Sequence, residues 1–387
     1  MRRLRIAVDA HRLVCQPLTS GATYLDALVR EWQASENAPE LDLLVPYRPP
    51  DAFAQQAPYT NSGVRLVYPT QPGNPILRYR EQALWQQRSI PALLRQHRPD
   101  VYFSPFHFTP QLPLGLRMVT AIHDLCFLGE PFFSLGHIIN RVEMYSACIR
   151  SRRLICVSEF TAEMLARWAP RAARRSTVVH NGLSGKTLPM EEAKELLRSL
   201  SPDLVPQEYL LWIGHLTFRK NPELLFDIFA AYHQRFPTHK FVVVALRAAH
   251  DELQNLARAR GLESALRVFS AVENKTRDAI YRCALALVFP SRCEGFGFPV
   301  LEAMYQGCPA FASRKGPARE MVGGLLPMAA GLTVEAFMTA LGRYLAMSGS
   351  ERQDLSAALI ARASNFSSKA MAAGTLKVLQ AAAGRIA

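Results

Sequence analysis

The 387-residue sequence predicts an α/β protein of two domains, each a doubly wound parallel sheet wrapped by helices. The chain is about twice as long as a typical domain. Short continuous apolar runs alternate with segments of helical periodicity, as in buried parallel strands joined by helices. A polar segment that contains Pro189, Pro202 and Pro206 interrupts this alternation near the middle. We therefore predict one domain over residues 1–185 and a second over 186–368.

The elements of the first domain start with the apolar run Arg5–Asp9, which predicts a strand. A helix is expected next, because apolar residues recur at helical spacing from Tyr24 to Trp32. Further apolar runs predict strands at 41–45, 64–67, 101–103, 118–122, 154–157 and 177–179. The polar segment 183–207 then reads as an interdomain connection with one charged helical patch at 191–198.

The second domain repeats the alternation. Apolar runs predict strands at 209–213, 241–245, 267–269, 284–289 and 310–312. Helices are expected at 222–236, 251–260, 275–282, 299–306 and 334–347. A last helical pattern follows, and we expect residues 369–387 to pack back toward the first domain. Ligands of such sheets bind at the carboxyl ends of the strands, so a cleft between the two halves is expected to hold the site.

The net charge of +13, from 45 Lys and Arg against 32 Asp and Glu, predicts an anionic partner. Phosphorylated substrates and an anionic membrane surface both qualify, and arginines cluster at 150–153 and 167–175. Aromatic and basic residues do not alternate as in proteins that stack single-stranded bases, so no nucleic acid is expected. No apolar run reaches the roughly 20 residues of a membrane span. We expect a cytoplasmic protein, peripheral on the inner face of the cytoplasmic membrane.

Metal ligands do not occur at the usual spacings. The seven cysteines contain no C-x-x-C pair, and the sequence has no His-Glu-x-x-His. We therefore expect no metal and no resident cofactor.

The segment Pro290–Pro309 carries the strongest functional pattern. Glu294 and Glu302 flank a turn rich in glycine and aromatic residues that leads into a helix starting near Pro299. Glycines let a ligand approach the backbone, and a helix start favours negative charge. Carboxylates accept hydrogen bonds from hydroxyl groups. The pattern predicts a socket for a sugar attached to a phosphate.

This segment resembles the signature of the retaining glycosyltransferases of family 4, which have the GT-B fold of two Rossmann-like domains facing across a cleft. The resemblance implies that Glu294 contacts hydroxyl groups of a donor sugar and that Glu302 contacts the ribose of its nucleotide. It also implies that the backbone N–H groups around Phe296, Gly297 and Phe298 serve the sugar and the diphosphate.

The stretch 212–222 is similar to a second motif of that family, and its Gly214 belongs to the donor site. Arg219 and Lys220 match the pair of cations that grips the diphosphate. Fixed cations stabilise the charge that develops on a departing diphosphate, which agrees with this assignment. His215 stands where many relatives have arginine. The charged stretch 314–320 departs from the family pattern and could touch the nucleotide or an anionic acceptor.

In the first domain, the run 119–125 resembles the strand of the family that ends in His-Asp. His123 is therefore expected to make a polar contact at the reaction centre, and Asp124 to orient it or to meet the acceptor. Gly21 is the one glycine that remains of the richer loop in relatives, and we assign it to the donor side.

The resemblance implies a metal-independent, retaining hexosyltransferase that uses a nucleotide sugar. A glycan or lipid-linked acceptor of cell-surface polysaccharide or lipopolysaccharide synthesis is expected, as in the bacterial mannosyl- and rhamnosyltransferases. GDP-mannose is the first choice of donor, with UDP- and dTDP-sugars open. Two alternatives remain: a nucleotide-sugar epimerase of the same fold, and a non-enzymatic protein that binds anions or nucleic acid.

Overall fold

The computed structural model describes residues 2–17, 19–69, 79–110, 116–129 and 135–385. The chain forms two compact units, Met1–Gly182 together with Ser367–Ala387, and Leu183–Phe366. The first unit thus ends at Gly182 rather than at the residue 185 expected from the sequence, and the chain returns to it at Ser367.

The described part of the first unit contains a seven-stranded parallel sheet with the strand order β3-β2-β1-β4-β5-β6-β7. Its strands are β1 (Arg5–Asp9), β2 (Glu40–Leu44), β3 (Val64–Val67), β4 (Val101–Ser104), β5 (Met118–Ile122), β6 (Arg153–Cys156) and β7 (Ser176–Val178). Its helices before the second unit are α1 (His11–Cys15), α2 (Ser20–Gln33), α3 (Asp51–Ala54), α4 (Tyr79–Leu84), α5 (Ile90–His97), α6 (Leu135–Arg150), α7 (Glu159–Trp168) and α8 (Pro170–Ala173).

The second unit contains a five-stranded parallel sheet with the order β10-β9-β8-β11-β12. Its strands are β8 (Tyr209–Ile213), β9 (Lys240–Val244), β10 (Leu266–Phe269), β11 (Ala286–Phe289) and β12 (Ala310–Ala312). Its helices are α9 (Met190–Leu200), α10 (Pro222–His233), α11 (His250–Arg258), α12 (Asn274–Cys283), α13 (Phe298–Tyr305), α14 (Ala318–Val322), α15 (Val334–Leu345) and α16 (Gly349–Ala363). The last helix, α17 (Ser368–Ala382), belongs to the first unit.

Helices cover both faces of the first sheet, as the buried residues of β1 show. Ile6 and Val8 join a core with side chains of α2 and α17, whereas Ala7 joins a separate core with side chains of α5. Successive residues of a strand point to opposite faces, so two cores flank this sheet. The Trp32 indole N–H donates to the Ala372 carbonyl oxygen at 2.9 Å, which ties α2 to α17. The predicted doubly wound parallel architecture is confirmed.

The segment 183–207 is part of the second unit, so its interpretation as a connection was wrong. Its helix α9 runs longer than the predicted patch and buries Ala193 and Leu197. The helix packs against α12, and the Leu188 N–H donates to the Gln306 side chain at 2.9 Å. The polar composition of the segment hid a narrow apolar stripe, which is enough to attach a surface helix.

Helix α16 was not predicted from the sequence. Its start is fixed by a capping box in which Ser348 and Glu351 exchange hydrogen bonds with each other's backbone N–H groups. Its buried residues are few, namely Leu355, Leu359 and Ala363. Across the described residues, no helix is both long enough and apolar enough to cross a membrane.

Candidate functional site

The predicted sugar-phosphate segment lies at the point where the second sheet changes direction. The chain moves from β8 to β9 on one side and later returns to β11 on the other side of β8. Ligands of doubly wound sheets bind at this switch point, beyond the carboxyl ends of the strands. The loops that follow β8 and β11 carry Lys220 and Glu294, so the topology brings the two predicted motifs to one edge.

Backbone hydrogen bonds hold these two loops together. The Arg292 N–H donates to the Arg219 carbonyl oxygen at 2.8 Å. The Asn221 side-chain amide donates to the Pro290 carbonyl oxygen at 3.3 Å. Residues Phe218–Lys220 form one turn of 3₁₀ helix, and Asn221 ends it in the left-handed region at φ 58°. The position of the cations is therefore set by backbone geometry rather than by flexible side chains alone.

Lys220 and Glu294 form an ion pair at the centre of this arrangement. The Lys220 Nζ lies 2.7 Å from Glu294 Oε1, and the two side chains are only 12% and 13% exposed. The ammonium also lies 4.8 Å from the centre of the Phe289 ring. Gly214 adjoins the pair, because a Cβ there would lie 3.8 Å from Lys220 Cε. A fixed cation beside a fixed carboxylate suits a ligand that carries both a phosphate and hydroxyl groups.

A cavity of about 300 Å³ opens beside Glu294, at the ends of β11 and β12. Polar and charged lining side chains include those of Ser291, Arg292, Glu294, Ser313 and Lys315. The Ser291 hydroxyl is buried and has no hydrogen-bond partner among the described residues. An unsatisfied buried hydroxyl is costly, so this atom is suited to contact a bound ligand.

Arg292 and Ser291 were not singled out from the sequence, although both lie inside the signature segment. The Arg292 guanidinium, on the loop after β11, lies 4.6 Å from the centre of the Phe218 ring, on the loop after β8. Lys315 came from the charged stretch that departs from the family pattern, and it does line the cavity. The sequence did hold a signal for Arg292, because it lies two residues before Glu294 in the same strand-to-helix loop.

The turn before α13 adopts a backbone conformation that requires glycine, as the motif predicted. Gly297 precedes the helix with φ at 94°, in the left-handed region that other residues rarely adopt. Pro299 occupies the first turn of the helix, where no N–H donor is needed. Phe296 is buried against Phe298 and Phe366, so the aromatic residues of the motif hold the turn in shape.

Glu302 lies apart from the residues that line the cavity. It accepts a hydrogen bond from the Tyr281 hydroxyl at 2.8 Å, and an Arg277 nitrogen lies 3.8 Å from its other oxygen. Burial raises the pKa of Glu302, while Arg277 and Tyr281 act in the opposite direction. The structure therefore gives this acid partners on α12.

In the first unit, His123 follows β5 directly and is packed among aromatic rings. Its ring stacks on Phe106 at 5.3 Å and meets the edge of Tyr24 at 4.7 Å. Burial lowers the pKa of His123 to about 4, so the imidazole is neutral near pH 7. Nε2 lies 2.9 Å from the Pro105 carbonyl oxygen and must donate to it, which leaves Nδ1 as the acceptor nitrogen.

Asp124 lies next in the chain, two residues before the short helical turn Cys126–Leu128. Its carboxylate accepts a hydrogen bond from the Cys126 N–H at 3.1 Å. The charge of Asp124 acts on both His107 and His123, so it belongs to the same cluster.

Arg12 is a further residue of this cluster, and the sequence interpretation missed it. Its guanidinium carbon lies 3.7 Å from the centre of the Phe106 ring, and its Nε is buried without a hydrogen-bond partner in the described parts of the chain. Arg12 follows Asp9, which is held by hydrogen bonds from His11 and Trp85 at 2.8 and 3.0 Å. The signal available in the sequence was an arginine three residues after the end of a buried strand.

Gly21 has a packing role that the motif did not reveal. A Cβ at this position would lie 2.7 Å from Arg12 Nη1 and 2.7 Å from Phe106 Cζ. Glycine at the start of α2 thus lets Arg12 and Phe106 pack against the helix. The assignment of Gly21 to donor binding stays a prediction.

Groups of three or more His, Cys, Asp or Glu side chains that could hold a metal ion do not occur among the described residues. In the candidate site of the second unit, Lys220 is paired with Glu294, and Arg292 and Lys315 line the cavity beside that carboxylate.

Comparisons with known proteins connect both units to sugar transfer. Residues 21–184 match Glycosyltransferase Family 4, and residues 201–345 match Glycosyl transferases group 1. The O-antigen chain mannosyltransferase B of Escherichia coli is 25% identical over 331 residues, which is 84% of this chain and 78% of that protein.

Two solved structures share the fold over nearly the whole chain. Sucrose-phosphate synthase from Thermosynechococcus elongatus superposes with a TM-score of 0.73 at 16% identity, over 98% of this chain and 99% of that one. Anabaena HepE, solved in complex with UDP-glucose, gives a TM-score of 0.70 at 17% identity, over 98% and 100%.

Proposed function

Because this chain belongs to the glycosyltransferases, with a Family 4 domain followed by a group 1 domain, we propose that it transfers a hexose from a nucleotide sugar with retention of configuration. The observation that carries the proposal is the Lys220–Glu294 pair beside the cavity at the switch point of the second sheet.

The cations of the second unit are assigned to the diphosphate of the donor. Lys220, with Arg219, Arg292 and Lys315, supplies positive charge where the leaving group gains negative charge, so no metal is required for charge neutralisation. Glu294 accepts hydrogen bonds from hydroxyl groups of the sugar, and Lys220 holds it in position. Glu302 is assigned to the ribose, with Tyr281 and Arg277 orienting its carboxylate.

The chemical step exchanges one bond to the anomeric carbon for another. The acceptor hydroxyl oxygen bonds to that carbon, and the bond from the carbon to the diphosphate oxygen breaks. The new bond forms on the face that the diphosphate leaves, which preserves the anomeric configuration, and the released diphosphate takes the hydroxyl proton on that face. The fixed cations then stabilise the negative charge that develops on the departing diphosphate, and no side chain acts as the base.

The first unit is assigned to the acceptor side of the reaction. Neutral His123 offers Nδ1 as an acceptor for a hydroxyl group, and Asp124 fixes the loop after it. Arg12 provides one half-buried cation near His123 for an anionic group of the ligand.

GDP-mannose is the proposed donor, supported by the similarity to the E. coli O-antigen mannosyltransferase. UDP-sugars are the second choice, because the Anabaena neighbour was solved with UDP-glucose. The proposed acceptor is a glycan or a lipid-linked glycan of surface polysaccharide synthesis.

Calorimetric titration with GDP-mannose, UDP-glucose and a dTDP-sugar tests the donor directly. We expect GDP-mannose to bind most tightly and to be hydrolysed slowly when no acceptor is present.

The anomeric configuration of the transferred mannose, read by NMR, must be α if configuration is retained from GDP-α-mannose, and a β product would overturn the retaining step. Activity that survives chelation by EDTA supports metal independence, and its loss contradicts it. Conversion of the nucleotide sugar into an epimer without transfer would favour the epimerase alternative.

A further inference from the structure

Helix α6 of the first unit presents an apolar stripe to solvent. Over residues 136–150, the most exposed residues are Ile138, Val142, Tyr145 and Ile149, which are 51–61% exposed. Their spacing of four, three and four residues places them on one face of the helix. Surface helices normally expose polar residues on the outer face, so this pattern is inverted.

The opposite face of α6 is fixed to the body of the unit. Met144 and Cys148 belong to a core that also contains Leu154 of β6 and Leu165 of α7. The stripe is therefore held on a folded helix, whose packing does not depend on the four exposed residues.

Exposed arginines lie beside the carboxyl end of this helix. Arg152 and Arg153 follow α6 directly, and Arg171 and Arg174 lie on or just after α8. Arg175 connects the two regions, because its guanidinium donates to the carbonyl oxygens of Cys148 and Ser151. Residues 135–178 contain eight arginines against three glutamates, a large part of the net positive charge of the chain.

We propose that the α6 stripe and these arginines form a surface that binds an anionic lipid bilayer. Apolar and aromatic side chains on one face of a helix enter the boundary between headgroups and acyl chains, and neighbouring arginines attract anionic headgroups. Helix α6 then lies in the plane of the interface, and the unit is peripheral rather than membrane-spanning.

A second copy of the chain fits this surface less well than a bilayer does. A helix of 16 residues is about 24 Å long, so one stripe covers far less than the roughly 800 Å² per partner of a stable interface. A symmetric pairing would also bring two clusters of arginines together, and like charges at an interface are unfavourable. A bilayer offers an apolar interior for the stripe and anionic headgroups for the arginines, without the small contact area or the charge repulsion of a dimer.

Co-sedimentation of the purified full chain with vesicles tests this proposal. We expect binding to vesicles of phosphatidylcholine and phosphatidylglycerol at 70:30, and at least tenfold weaker binding to pure phosphatidylcholine. Ile138→Ser/Val142→Ser/Ile149→Ser should reduce binding to the mixed vesicles at least tenfold. Arg152→Ser/Arg171→Ser/Arg174→Ser should reduce it by about fivefold per arginine and flatten its dependence on NaCl.

Matched variants of the second unit provide the controls. Val205→Ser/Leu246→Ser removes exposed apolar residues, and Arg235→Ser/Arg247→Ser/Arg343→Ser removes the same charge from exposed positions. Equal losses in these controls and in the α6 variants would overturn the proposal, since binding would then follow overall charge or apolarity.

Two further measurements distinguish failure of the lipid proposal from failure of the proposed sugar transfer. The vesicles contain no acceptor, so vesicle binding and donor binding can fail independently. Nucleotide-sugar binding should be unchanged in the α6 variants, and an unchanged thermal midpoint shows that their first unit folds. Sedimentation that reveals a dimer in the wild type and a monomer in the α6 triple variant would assign the stripe to a second copy and overturn the lipid assignment.

Discussion

The two units place their candidate residues at comparable edges of parallel sheets but provide different environments there. The second unit offers charge, with Lys220 paired to Glu294 at 2.7 Å beside a cavity that Arg292 and Lys315 also line. The first unit offers rings, with a neutral His123 between Phe106 and Tyr24. The difference agrees with the proposed division of labour, in which the second unit binds the diphosphate of the donor and the first unit contacts a hydroxyl group.

The largest expected effect is the loss of Lys220. Lys220→Met removes the fixed cation and should lower kcat by about 10²–10³. Steady-state transfer from the preferred nucleotide sugar is the measurement, with the thermal midpoint recorded to show that the fold persists. Lys220→Met/Glu294→Gln serves as the control for a merely structural pair, because it leaves no unpaired charge. Recovery of turnover in that double variant would contradict the catalytic assignment.

Arg12 tests whether the first unit also contributes charge. Arg12→Met keeps contact with Phe106 but removes the cation, and we expect kcat/KM to fall by roughly 10–100-fold, as for the loss of a charge-assisted hydrogen bond. Gly21→Ala is the companion variant, because its Cβ would lie 2.7 Å from Arg12 Nη1 and displace it without removing its charge. Unchanged kcat/KM in Arg12→Met would restrict Arg12 to packing.

The neutral histidines of the first unit make its stability sensitive to acid. Burial lowers the pKa of both His107 and His123 to about 4, below the ordinary value of 6.5. The unfolded chain takes up protons first, so their contribution is complete above pH 6.5 and is lost as the pH falls toward 4. From pH 7 to pH 5 we expect the free energy of unfolding to decrease by roughly 2 kcal/mol per histidine.

Urea unfolding of wild type and His123→Gln at pH 7, 6 and 5 measures this effect. The glutamine amide can still donate to the Pro105 carbonyl oxygen but does not titrate. The variant should lose less stability on acidification than the wild type. Identical pH dependence would mean that folding leaves the pKa of His123 near its ordinary value of 6.5.

The smallest expected effect concerns Ser291 in the cavity wall. Its hydroxyl has no partner among the described residues, so Ser291→Ala should leave the thermal midpoint nearly unchanged. If the hydroxyl contacts the donor, KM should rise by about 3–10-fold with little change in kcat. Thr217→Ala, an exposed position near the same loops, is the control and should leave KM unchanged. An equal KM for wild type and Ser291→Ala would remove this residue from the donor site.

The sequence predicted the second unit more completely than the first. Its motif carried both the carboxylate and the glycines, and Gly297 has the left-handed backbone that the motif requires. Arg219, Lys220 and Glu294 lie on loops joined by the hydrogen bond from the Arg292 N–H, as strand-end motifs of neighbouring strands must be. These features depend on local spacing, which a sequence displays directly.

Features that depend on long-range packing were missed. Arg12 contacts Phe106 and lies against Gly21, which belong to separate segments of the chain, and no local pattern connects them. Helix α9 appeared to be a linker because its few buried residues meet α12, which is distant in sequence. No prediction was made for the stripe on α6, and periodicity alone does not tell which apolar face of a helix is covered.

One measurement tests the central claim most directly: calorimetric titration of GDP and guanosine into wild type and Lys220→Met. If the second unit grips the diphosphate through Lys220, wild type should bind GDP at least 100-fold more tightly than guanosine, and Lys220→Met should reduce that ratio at least tenfold while guanosine binds equally. A ratio that is the same in both proteins would contradict the account.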